Sequence, residues 1–62
     1  MKNIDYTVTE LDYAAWQDAK HLNIEDFAFD IACGVKGATK RNLPDLQQQI
    51  QEQIEFMEDN QQ

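Results

Sequence analysis

Between Leu22 and Val35 the chain reads LNIEDFAFDIACGV, and this stretch constrains the fold more than any other. At 100° per residue Ile24, Phe27, Ala28, Ile31 and Val35 fall on one side of a helix, the spacing of a buried stripe. Asn23 stands where an N-cap belongs, and Glu25 and Asp26 fill the first turn, where carboxylates favour the positive end of the helix dipole. Gly34 and Gly37 supply a stop, because glycine accepts the left-handed conformation that ends helices. Phe29 and Cys33 lie one turn apart and off the stripe. The expected helix covers about 24–35.

A single helix cannot bury its own stripe, so partners are sought on either side. From Glu10 to about His21, Leu11, Ala15, Ala19 and Leu22 share a face with Trp16 at its edge, while Tyr13, Gln17, Lys20 and His21 lie opposite. The expected helix is 10–21, started by Thr7 or Thr9, with Thr7 and Glu10 at capping-box spacing. Its alanines would let the second helix approach closely. Asn42 and Pro44 open a third helix over about 43–58. There Leu43, Leu46, Ile50, Gln53 and Met57 step by three and four, flanked by Ile54, with Phe56 off the seam. Two heptads are too few for a free-standing coiled coil, so this seam docks on the first two helices or on a second copy. Before the helices, Ile4, Tyr6 and Val8 alternate with Asn3, Asp5 and Thr7, a period-two signal that reads as a strand or an extended arm. The expected architecture is mainly α: one domain, 1–62, with three short helices, an arm over 1–8 and a frayed tail over 59–62.

Sixty-two residues lie near the lower limit for folding without disulfides, a metal or a partner. Cys33 is the only cysteine, no apolar run approaches a membrane span, and no signal-peptide core is present, so a cytoplasmic address is expected. The net charge of -7 argues against general affinity for phosphate backbones or anionic membranes, and it has two readings: acidity that keeps a small, mostly solvated protein soluble, or acidic faces that meet a basic protein surface such as a nucleic-acid-binding groove.

Chemistry has little to work with. Serine is absent, His21 is the only imidazole, and Asp26 and Asp30 near Cys33 would disfavour a thiolate. One Cys and one His cannot make a zinc site, and Glu52, Glu55 and Glu58 read as a solvated helix face. Gly34-Val35-Lys36-Gly37 spells the GxxG of an RNA-clamping loop, although a helix end explains both glycines. Lys36, Lys40 and Arg41 suit the negative end of the preceding helix dipole. No enzyme, cofactor or metal site is expected.

An alternating N-terminal segment followed by two helices, with Leu22-Asn23-Ile24-Glu25-Asp26-Phe27 opening the second, resembles the ribbon-helix-helix class of dimeric repressors and antitoxins over residues 2–36. The resemblance implies a dimer whose paired strands enter the DNA major groove, and hence a transcriptional regulator. The chain departs from that pattern in carrying Asp5 at an outward strand position and in adding a third helix.

Taken by itself, the surplus of off-stripe apolar residues points to a small acidic protein-interaction module. Accessory or inhibitor proteins of phages and mobile elements are of this kind. Its expected partners are a second copy in a homodimer or another protein with a basic surface, with nucleic acid and membrane disfavoured. The expected interface comprises Trp16, Phe29, Cys33, Leu46, Ile50, Ile54 and Met57.

Overall fold

A computed structural model describes residues 5–19 and 21–60. Ile4, Asn3 and Lys2 of the expected strand, Lys20, and Gln61 and Gln62 of the expected tail lie outside the described residues. The architecture is three helices: α1 (Glu10–Asp18), α2 (Ile24–Cys33) and α3 (Leu43–Asn60). Among the described residues there is no strand, and residues 5–9 form an extended arm.

Of the two expected starts of α1 the structure takes the second, and the capping box is one other than Thr7 with Glu10. Thr9 is the N-cap, and its partner is Asp12. The Asp12 N–H donates to Thr9 Oγ1 at 3.1 Å while Thr9 N–H donates to Asp12 Oδ2 at 3.1 Å, so the side-chain oxygen of each residue satisfies the orphan N–H of the other. The helix ends at Asp18, a turn earlier than expected at His21. Leu22 N–H folds back onto the Ala19 carbonyl at 2.9 Å, which reverses the chain and starts α2 within a few residues.

Helix α2 buries Phe27, Ala28 and Ala32, flanked by half-buried Ile24, Ile31 and Val35, as its stripe predicts. It stops at Cys33, after which Gly34 and Val35 donate to carbonyls three residues back. Gly34 stays in the right-handed region; only Gly37, with φ 92°, takes the left-handed conformation that needs glycine. Thr39 and Asn42 then repeat the reciprocal device of the first cap: Asn42 N–H donates to Thr39 Oγ1 and Thr39 N–H to Asn42 Oδ1. That turn aims α3 back along α2.

The principal helix pair is α2 with α3. Leu46, Ile50 and Ile54 have no exposed surface and lie one turn apart on α3, and Ala28 and Ala32 are equally sealed on α2. Small residues one turn apart let the α3 leucine and isoleucines seat close to the α2 backbone. The seam of α3 is thus spent inside the chain. It runs through the helix interior stripe 46, 50, 54 and does not wait for a second copy.

The face expected of α1 is corrected. Leu11 is 82% exposed and Ala15 is exposed, whereas Tyr13 and Trp16, assigned to the far side and the edge, are in the core. Alanine spacing misled because it fits a close-packed face and a solvated one equally. The bulky rings carry more apolar area and take the buried side.

Candidate interaction surface

The interface expected from sequence divides into two groups. Trp16 is 9% exposed, its ring tilted 48° on Phe27 at a centroid distance of 5.3 Å, and its indole N–H donates to Glu58 Oε2 at 2.7 Å. With Leu46, Ile50 and Ile54 it belongs to the core, so these four offer a partner nothing. Phe29, 45% exposed, and Cys33 sit on the outer side of α2, and Met57 is half-buried at the rim of the core. The exposed aromatic outside that set is Phe56, 68% exposed on α3. Its phase carried the signal: it falls outside the three-four stepping that the core consumes.

Around Phe56 the surface is shaped. One open groove of about 400 Å³ runs between the arm and α3, lined by Val8, Gln49, Glu52, Gln53, Phe56 and Met57. A second, of about 470 Å³, lies on its other side against Glu10, Tyr13 and Asn60, and shares Phe56 and Met57. Each has one carboxylate in its wall, Glu52 or Glu10.

The wall formed by the arm is held by amide side chains. Gln53 Oε1 accepts from Val8 N–H at 2.8 Å, Gln53 Nε2 donates to the Tyr6 carbonyl at 2.6 Å, and Gln49 Oε1 accepts from Tyr6 N–H at 3.2 Å. Two glutamines one turn apart thus do for the arm what a neighbouring strand would do, and satisfy backbone groups that water could not fully reach. Val8 is buried while Asp5 and Thr7 are exposed, so the period-two pattern survives without a sheet. A two-stranded ribbon would need the backbone of this segment for a second copy; within one chain these groups already have partners on α3.

Asp12 ties the arm to α1. Its carboxylate accepts from the Tyr6 hydroxyl at 2.6 Å as well as from Thr9 N–H. Partial burial pushes the Asp12 carboxyl up, yet the bonds donated by Tyr6 and Thr9 outweigh it and hold the group below its ordinary value of 3.8. The same bond to Asp12, aided by burial and by the negative charge of the carboxylate, raises Tyr6 above 10.0.

Acidic charge runs the length of α3, in a molecule that extends 38 Å in its longest direction. Helix α3 carries Asp45, Glu52, Glu55, Glu58 and Asp59 and no basic residue. Two of these stand in its last turn, against the negative end of the helix dipole, where they cost stability. The exposed cations Lys36, Lys40 and Arg41 lie before its first turn, at the opposite end. Among the described residues no group of three or more potential ligands could hold a metal ion, and no helix is long and apolar enough to cross a membrane.

No family model, no curated protein and no solved structure matches this chain.

Proposed function

We propose that this chain is a non-enzymatic interaction protein that works by occupying a basic surface on another protein, in the manner of accessory or inhibitor proteins of phages and mobile elements. The observation that carries the reading is the charge of α3: five carboxylates, no cation, and an exposed aromatic among them. Glu58 has an internal use on the Trp16 indole, but Glu55 and Asp59 stand exposed near a helix end that repels them. Residues that lower stability without an internal role are expected where a surface serves something outside the molecule. Long-range attraction would steer such a face to a cationic target such as a nucleic-acid-binding groove, and the exposed ring would supply contact area.

A symmetric dimer across this face would bring two chains of charge -7 together through their acidic sides. A second copy is better accommodated at the outer face of α2, where Phe29 and Cys33 are exposed.

The test is affinity capture with the wild type and with a Glu52→Lys, Glu55→Lys, Asp59→Lys variant, each at ~50 and ~300 mM salt, a range over which screening between exposed charges steepens. All three positions are exposed, so the fold is expected to hold. A basic protein should be held by the wild type at low salt, released at high salt and absent from the variant. Capture of the same proteins by both chains would sink the proposal. A parallel DNA titration at ~50 mM salt, where phosphate contacts are strongest, is expected to give no binding.

A further inference from the structure

Resting on the interaction reading above, we infer that the paired grooves flanking Phe56 are a docking site for a basic amphipathic segment of another protein, its apolar face seated against Phe56 and Met57 and its cations on Glu10 and Glu52. Both grooves share the two apolar side chains, so they form one surface with Phe56 as a ridge and a carboxylate on either flank. Phe56 is 68% exposed, more than any other aromatic among the described residues. Apart from those two carboxylates the lining is apolar or amide: Val8, Gln49, Gln53 and Met57 in one groove, Tyr13, Met57 and Asn60 in the other.

Three features identify the occupant. The carboxylates of the walls, with Glu55 and Asp59 beside them on α3, face no cation of their own helix and complement lysine or arginine. The amides of Gln53 are already bonded to the arm, which leaves its side of the groove without strong polar recognition and favours an apolar contact there. A second copy docked symmetrically would bring the same acidic face to the site in a chain of charge -7, so the occupant favoured by charge is a different, basic molecule. The groove is open and shallow, as suits a helix or extended peptide more than an enclosed small ligand.

The experiment uses the full chain and a labelled amphipathic peptide of about four helical turns (~14 residues), leucine on one face and lysine on the other. Binding is followed by anisotropy and by amide chemical shifts at ~50 mM salt. The proposal expects shifts at Val8, Glu52, Phe56 and Met57, and binding weakened about tenfold or more by Phe56→Ala, the loss of a central aromatic contact. Phe29→Ala, on the outer face of α2, should change nothing. A Glu10→Gln, Glu52→Gln variant should bind more weakly and lose most of its salt dependence. Peptide binding that survives Phe56→Ala unchanged but responds to the α3 charge reversal would overturn the groove and leave the acidic-face reading standing. Absence of peptide binding at low salt would overturn the groove, and the lysate comparison would then decide the wider reading independently. Equal binding of a peptide with glutamate in place of lysine would overturn the basic occupant. Concentration-dependent dimerisation abolished by Phe56→Ala would assign the groove to a second copy instead, which also overturns it.

Discussion

Helices α1 and α2 are nearly equal in length, nine and ten residues, and both carry two carboxylates in the first turn, yet they join the molecule by different physics. Helix α2 is held by shape: Ala28 and Ala32 vanish beneath α3, and Phe27 fills the space beside them. Helix α1 is held by two rings and two polar bonds. Tyr13 and Trp16 are its only buried residues, the Trp16 indole reaches Glu58, and its capping Asp12 holds the arm through Tyr6. A packed stripe spreads its stabilisation over many small contacts. A ring with a polar handle concentrates it in one residue, so the two attachments should fail differently.

Trp16→Ala is the largest break. Removing a buried Trp costs about 3–5 kcal/mol and also leaves the half-buried Glu58 carboxylate without its donor. A domain of this size rarely commands more than that in total, so the variant should show mostly unfolded circular dichroism at 25 °C. Ala28→Leu attacks the other attachment from the opposite direction. Extra methylenes forced between α2 and α3 should cost about 1–3 kcal/mol, measured as a lower urea midpoint. If Ala28→Leu proved the more damaging, the contrast between concentrated and spread attachment would be reversed.

Gln53→Ala sharpens the comparison at the arm. It deletes two hydrogen bonds, to Val8 N–H and the Tyr6 carbonyl, and should cost about 1–2 kcal/mol. Amide exchange should quicken at Val8 while the amides of α2 keep their protection relative to global unfolding. A smaller effect comes from pH. Asp12 is held below its ordinary value, so its contribution is present above about pH 4 and is lost as pH falls through the lowered folded value. Tyr6 is raised above 10.0, so its contribution is present below that pH and is lost as pH climbs through the raised value. Tyr6→Phe should therefore shift the urea midpoint in the neutral range and shrink its dependence at both extremes. An unchanged profile would remove the Tyr6–Asp12 bond from the account of stability.

How far these arrangements were legible in sequence follows from the same contrast. The α2 stripe was legible because several apolar residues repeat one phase, and α3 followed because Leu46 and Ile50 repeat it again. Spacing points to the wrong face of α1 because Leu11, Ala15 and Ala19 make a tidy face, while Tyr13 and Trp16, spaced by three, make a better one that needs Glu58 from 42 residues away. Sequence periodicity carries no information about that distant acceptor. The arm was legible as alternation and no further, since its backbone partners are Gln49 and Gln53, which look like ordinary helix surface. The expected interface suffered from the same limit. Phase alone groups the off-stripe aromatics together, whereas the fold absorbs Trp16 and Tyr13 and leaves Phe29 and Phe56 outside.

The mildest substitution bears most directly on that misreading. Leu11 belongs to the face that spacing alone assigns to the core, yet it is 82% exposed. Leu11→Gln removes an apolar side chain that already stands in water, and glutamine propagates a helix almost as well as leucine. Its effect on stability should lie within about 0.5 kcal/mol, with an unchanged urea midpoint and slope. Burial of Leu11 against α2 would instead make the change cost about 2 kcal/mol or more through lost transfer energy and a polar group left inside. The two arrangements of α1 are rotations of one helix about its own axis and bury comparable numbers of residues, so helix content cannot separate them. A neutral Leu11→Gln beside a crippling Trp16→Ala fixes the rotation, and with it the side of α1 that borders the Phe56 groove through Tyr13.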